Sequence, residues 1–345
     1  MRYIAGALCV LMVLVVIPRD ALSTKYAGAF MDVGGGARAL GMGGAFVAVA
    51  GDASTVYWNP AGMSDLGRRQ ALAMHSERFG GMVDFNFGAY VQPTGLLPAE
   101  RKAAFGFALL HLGIEDIIVT DHLGFMDLDG DGVPDFDQGE YLTFNGQRFE
   151  DFASLPRESD NSFALLSAFA MDSQFGLVGG ALKLIYVDAI AGYSSTGIGI
   201  DLGYLRRDAF VERLDLGVKL QDATGTYLSW STGRNEFILP VLKLGAAYEV
   251  VSSKLKGSLL LAFDADLYFE NRQTASQLWQ GRTSADLHFG GELVFQDRVM
   301  VRGGIDAGNP TAGAGLRIGF LGFDYAYLHH DDFEATHRVS ALANF

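Results

Sequence analysis

Leu214-Asp215-Leu216-Gly217-Val218-Lys219-Leu220-Gln221 carries a leucine or valine at every second place, with a polar residue or glycine between. Successive side chains of a strand point to opposite faces, so these eight residues make one oily face and one wet face. The stretch 259–268 repeats the pattern, with Leu259, Leu261, Phe263, Ala265 and Leu267 on one side and Asp264, Asp266 and Tyr268 on the other. Fourteen segments read this way: 70–79, 82–92, 103–114, 160–171, 175–187, 196–205, 213–221, 237–249, 257–269, 284–295, 299–306, 313–320, 322–328 and 336–345. No long helical pattern accompanies them to cover the oily faces. Hydrocarbon is then the cover, and a closed barrel is the one sheet that crosses a bilayer without unpaired edges. The expected fold is all-β, a 14-stranded antiparallel transmembrane β-barrel over 70–345.

The links between segments support this. The even-numbered links are mostly compact, as in Asp172-Ser173-Gln174 and Gln296-Asp297-Arg298. From the third onward the odd-numbered ones are mostly longer, led by 115–159. Outer-membrane barrels have short periplasmic turns and long external loops, and an even strand number leaves both chain ends in the periplasm. The last segment sets Val339, Ala341, Ala343 and Phe345 on one face. A terminal aromatic on such a strand resembles the signal read by the barrel-assembly machinery, so Phe345 is the expected assembly signal.

Composition agrees. Mean hydropathy is +0.18, yet after the N-terminus no apolar run approaches the roughly 20 residues of a spanning helix. Arg2, the apolar run Ile4 to Ile17 and the small residues Ala21-Leu22-Ser23 read as a cleavable export signal, 1–23. Cys9 lies within it, so the mature chain has no cysteine for disulfides or metal ligation. A net charge of −14 argues against nucleic acid as a partner. The expected location is the outer membrane, with its lipid as first partner.

Residues 24–69 differ from the rest. They are rich in Gly and Ala and do not alternate. Asp52 is placed to cap a short helix through Trp58, which Pro60 would stop. The run Gly36-Ala37-Arg38-Ala39-Leu40-Gly41-Met42-Gly43-Gly44-Ala45-Phe46-Val47-Ala48-Val49-Ala50, with Asp52-Ala53-Ser54 and Trp58-Asn59-Pro60-Ala61-Gly62, resembles the N-terminus of the PorV/PorQ family. That family is similar to the FadL-type long-chain fatty-acid transporters. The resemblance covers about 40 residues and departs from the common form at Gly51, where many members carry an acid. It implies that 24–69 folds inward as a hatch, with Asp52, Ser54, Trp58, Asn59 and Pro60 as its motif. Physics makes a hatch sensible, because a 14-stranded barrel is too wide for its own side chains to fill. Two non-enzymatic functions follow from the resemblance. PorV-like barrels of type IX secretion accept exported cargo proteins at the cell surface, beside other secretion components, and this is the first reading. FadL-type relatives pass hydrophobic molecules through an opening in the wall, and this is the alternative.

The segment 115–160 holds thirteen acidic residues and two basic ones. Within it Asp127, Asp129, Asp131 and Asp135 stand at the first, third, fifth and ninth places of a calcium loop. Val133 offers a carbonyl at the seventh, and Gly132 permits the turn. Gln138 replaces the usual bidentate Glu at the twelfth place, which predicts weak calcium binding over 127–138, on the order of 0.1–1 mM. No other cofactor is expected.

Other candidates carry less. His75 and Ser76 adjoin on one strand and so face opposite sides, which prevents a nucleophile–base pair. His329-His330-Asp331 reads as a solvated loop. The glycine runs 34–36 and 41–44 lack the surrounding βαβ unit of a nucleotide site. Asp201, Asp215, Asp264, Asp266, Asp286, Asp306 and Lys219 are expected to face the lumen as wetted residues.

Overall fold

A computed structural model of the chain describes residues 28–97, 101–120, 123–128, 139, 141–148, 155–252, 256–329 and 335–345. The export-signal segment 1–23 and the calcium-loop residues Asp129, Asp131, Val133 and Asp135 lie outside them.

All fourteen segments form strands: β1 Gln70–Arg78, β2 Val83–Thr94, β3 Ala103–Ile118, β4 Arg157–Ser173, β5 Gly176–Asp188, β6 Ser194–Arg206, β7 Leu214–Gln221, β8 Val241–Ser252, β9 Gly257–Tyr268, β10 Thr283–Phe295, β11 Val299–Asp306, β12 Asn309–Ile318, β13 Leu321–Leu328 and β14 Thr336–Asn344. Each pairs antiparallel with the next, as β1 with β2 from Gln70↔Val91 to Arg78↔Val83. β14 returns to β1 from Gln70↔Asn344 to Glu77↔His337, which closes the barrel.

Three boundaries differ from the sequence expectation. The 115–159 link is not all loop: β3 runs on to Ile118, β4 begins at Arg157, and the link carries a three-stranded sheet of Leu123–Met126, Tyr141–Phe144 and Gln147–Arg148. The eighth strand starts at Val241, because Leu239 and Pro240 separate it from a short strand Asn235–Ile238. The eleventh link is a two-residue turn at Ala307 (φ 45°) and Gly308 (φ 98°). Both torsions are positive, as a tight hairpin turn requires. Asn309-Pro310 resembles a turn in sequence, yet it opens β12, where a missing N–H is tolerated.

The alternation sorts as expected over most of the wall. Leu259, Leu261 and Phe263 stay exposed on the outer face of β9, while Ala262, Asp264 and Asp266 are buried inside. Phe105, Phe107 and Leu109 of β3 and Leu182, Leu184 and Tyr186 of β5 extend the apolar outer belt. The belt is notched near the loop end of β1–β4. There His75 Nδ1 meets Asn86 Oδ1 at 2.8 Å, Asn86 Nδ2 meets His111 Nδ1 at 3.3 Å, and His111 Nε2 meets Asn161 Oδ1 at 2.9 Å.

Residues 28–66 lie within the barrel. They form short helices only, α1 Ala37–Gly41 and α2 Thr55–Trp58, with 3₁₀ turns Ala29–Val33 and Pro60–Asp65. The Asp52 carboxylate accepts the Ser54 N–H at 2.9 Å just ahead of α2. Asn59, with φ −158°, breaks that helix. Pro60 then opens the next turn, beyond ending the last, since a first-turn position needs no N–H. The segment seats deeply: Ala37, Met42, Phe46, Val56 and Met63 are fully buried against the wall.

Candidate functional site: the hatch contact and the cavity above it

The hatch backbone touches the wall where the wall has no side chain. A Cβ on Gly217 would sit 2.3 Å from the Val47 carbonyl oxygen, and one on Gly304 would sit 2.6 Å from the Gly43 nitrogen. Charged inward residues near such glycines then reach the hatch. The Asp264 carboxylate accepts the N–H groups of Phe46 (2.6 Å) and Val47 (2.7 Å). Lys219 donates to the Tyr57 carbonyl at 2.6 Å, and His288 Nδ1 lies 3.0 Å from the Gly43 carbonyl. From the hatch side, Asn59 Nδ2 donates to Val47 O (2.8 Å) and to Tyr204 O on β6 (3.0 Å). Its Oδ1 accepts the Ala61 N–H at 3.2 Å. Buried polar groups need such partners, because an unmade hydrogen bond there costs about 1–3 kcal/mol.

Arg38 joins the two parts electrostatically. It pairs with Glu292 of β10 at 2.6 Å and with Asp52 of the hatch at 3.3 Å. Arg302 bridges Glu292 (2.6 Å) to Asp324 (2.8 Å), and Arg317 completes the chain at 3.0 Å from Asp324. Burial alone would lower the Arg38 guanidinium, but Glu292, Asp52 and Asp324 around it raise it above the ordinary arginine range. Near the turn end, Asp65 pairs with Lys102 (3.2 Å) and Arg207 (2.9 Å). Its burial would raise the carboxyl, yet these two cations hold it below its usual value.

Between β6 and β7 the ladder shifts register, with the Ala223 N–H donating to Ile200 O at 2.7 Å across the shift. Leu216–Leu220 pair with β6 from Leu220↔Leu202 to Leu216↔Arg206. Pairing resumes on a short strand, Thr226–Trp230, from Tyr227↔Ile198 to Trp230↔Ser195, three residues out of register. The extra residues lie within Asp222–Gly225, and Asp222 and Ala223 are buried. Asp222 takes Lys183 of β5 at 2.7 Å, Lys183 also meets Asp201 at 3.1 Å, and Asp201 meets Lys219 at 3.1 Å. Lys219 is the residue that holds Tyr57, so one ion network links the register shift to the hatch.

Above the hatch, toward the loop end, is a cavity of about 190 Å³. Its floor is the hatch residues Val33, Leu40, Val47, Tyr57 and Trp58, and its wall is charged. Lys243 pairs with Asp266, Arg272 with Asp286 (2.9 Å), and His288 with Asp306 (3.1 Å). Asp32 also lines it and has no ion pair or hydrogen bond among the described residues.

The sequence-chosen hatch residues Asp52, Ser54, Trp58, Asn59 and Pro60 come together, all buried. Trp58 donates its indole N–H to Gly35 O at 2.7 Å. Phe345 is exposed on the outer face, its N–H donating to Arg69 O at 2.9 Å. His75 and Ser76 face opposite sides, Ser76 being buried and His75 exposed. Among the described residues His75 instead approaches Glu77 and Asp84, on the outside of the barrel. The aspartates expected to be wetted are not free. Asp201, Asp264, Asp266 and Asp286 are buried, as is Lys219, and Asp215 is paired with Arg207. The hatch displaces the water that would otherwise solvate them. A signal for this was present: inward glycines stand two places from inward charges in Asp201/Gly203, Gly217/Lys219, Lys243/Gly245, His288/Gly290/Glu292 and Arg302/Gly304/Asp306. Wall glycine admits a second backbone, and the neighbouring charge binds it.

No protein-family model and no curated protein sequence matches the chain. Solved structures do. The toluene transporter TbuX of Ralstonia pickettii superposes over 90% of this chain and 98% of its own, with TM-score 0.53 and 13% identity. The toluene transporter TodX of P. putida gives TM-score 0.53 and 12% identity, over 90% of this chain and 99% of its own. A Pseudomonas aeruginosa FadL homologue gives 0.50 and 12%, over 88% and 96%. The likeness is one of fold. The closed 14-stranded β-barrel is the fold of those proteins, and at such identity no residue role carries over.

Proposed function

We propose that the protein is an outer-membrane barrel that admits small hydrophobic molecules, the second of the two functions the sequence raised. The observation that carries this reading is the pairing of a hatch inside the lumen with a register shift in the wall. The hatch lies within the lumen, while Asp222–Gly225 shifts the β6–β7 ladder at a place where an ion network reaches the hatch. A solute that dislikes water would leave at that shift into the bilayer rather than cross to the turn end. The likeness to barrels named as toluene transporters supports the same ordering. Capture of exported cargo keeps one supporting observation, the small sheet of Leu123–Met126, Tyr141–Phe144 and Gln147–Arg148 in the long link. Phe345 serves as the assembly signal in either reading, and calcium at 127–138 would stiffen the long link.

The test is uptake of a labelled apolar solute and a labelled sugar by cells whose outer membrane carries the protein. Faster uptake of the apolar solute alone is expected, with loss on deleting residues 222–225. Equal sugar uptake, or unchanged apolar uptake in the deletion, refutes the reading. Co-purification of secreted proteins with the barrel would restore the cargo function to first place.

A further inference from the structure

The cavity above the hatch has a size and a charge pattern that together define a ligand. An apolar cavity of about 150 Å³ holds one benzene, so about 190 Å³ has room for one ring with a short arm. Its two strong cations are already committed, Lys243 to Asp266 and Arg272 to Asp286. Arg272 also lies over the Tyr268 ring, 4.0 Å from its centre. A carboxylate ligand would have to displace an existing anion from each. On the acidic side there is a surplus. Asp32, Asp266, Asp286 and Asp306 outnumber Lys243 and Arg272, with His288 shared between Asp306 and Asp266 at 3.1 and 3.8 Å. Asp32 is the acid without a partner among the described residues. Asp32 is exposed and lines the cavity, so its carboxylate is accessible to an incoming cation. Tyr57 and Trp58, edge to face with ring centres 5.1 Å apart, form an aromatic floor beside it. Aromatic faces attract cations through the negative charge of the ring face.

We infer that this cavity is a recognition site for a ring-sized organic amine, held by its ammonium at Asp32 and by its apolar body over Trp58, Val47 and Leu40. The inference rests on the proposed uptake of small hydrophobic molecules and narrows their class: basic amphiphiles, not fatty acids.

Purified full-length barrel in detergent at pH 7.5 is titrated with benzylammonium, toluene and benzoate, by calorimetry and by tryptophan fluorescence. Benzylammonium is expected to bind at least tenfold more tightly than benzoate and to change the fluorescence. Asp32→Asn is expected to weaken benzylammonium at least tenfold and to leave toluene within twofold. Trp58→Phe, which keeps an aromatic floor, removes the fluorescence change but keeps the binding heat. Benzoate binding as tightly as benzylammonium overturns the assignment, and so does an Asp32→Asn variant with unchanged amine affinity. Cellular uptake of toluene by Asp32→Asn separates the two proposals. Retained toluene uptake with unaltered amine binding sinks only the amine site, whereas absent toluene uptake in the parent sinks the transport reading.

Discussion

Replacing Asn59 by alanine isolates what holds the hatch. Asn59 is 1% exposed and makes three hydrogen bonds, two donated to carbonyls and one accepted from an N–H. The Tyr204 bond is the one that crosses from hatch to wall. Alanine removes all three and leaves two buried carbonyls without these donors. At about 1 kcal/mol net per bond, the crossing bond alone raises the population of displaced hatch about fivefold, and the loss of all three, about 3 kcal/mol, raises that of displaced and locally unfolded hatch on the order of a hundredfold. Two measurements read these populations. Amide exchange at Ala61 should accelerate on the order of a hundredfold, and single barrels in a planar bilayer should show open events where the parent is silent. Asn59→Asp keeps the acceptor for Ala61 but sets a carboxylate against two carbonyls, so it should open the barrel at least as often. The barrel itself should stay folded, as its mobility on unheated gels will report, because the fourteen strands pair without Asn59. An alanine variant with parental exchange and no conductance would refute the view that this side chain fastens hatch to wall.

Three further outcomes are expected. Asp264→Asn removes a charged acceptor from two backbone N–H groups, each bond worth about 1.5–3 kcal/mol; exchange at Phe46 and Val47 should rise at least tenfold, while Asp215→Asn should leave it unchanged. Gly304→Val places a branched side chain where a Cβ already lies 2.6 Å from the Gly43 nitrogen; the barrel should fold but leak ions, whereas Gly303→Val on the outer face should not leak. Because Lys102 and Arg207 lower the Asp65 carboxyl, its contribution to seating the hatch is present above the ordinary Asp value and is lost as pH falls through the lowered one. Conductance should therefore rise as pH drops below about 4, and an Arg207→Gln variant should show a weaker acid response.

The architecture was legible because it depends on a local pattern. Alternation such as Leu214 to Gln221 needs only the two-residue repeat of a strand, and counting fourteen of them fixes a closed barrel once lipid covers the oily face. That the N-terminal segment packs inside was legible as well, since Asn59-Pro60 and the surrounding small residues are contiguous and do not alternate. Turn details were harder to read. Asn309-Pro310 looked like a link, but the positive torsions of Ala307 and Gly308 place the turn two residues earlier, and torsions follow from closure of the whole hairpin.

Tertiary structure alone decided what the inward charges do. Lys219 and Asp264 look like wetted lumen residues in the chain, yet each is 1% exposed and holds a hatch group more than 160 positions away in sequence. The register that brings them there depends on how fourteen tilted strands close, which no single segment contains. The same holds for the cavity and its unpaired Asp32. Strand alternation sets which way each side chain points. Only the closed barrel sets what it meets, because hydrogen-bond partners and excluded water belong to the space between elements.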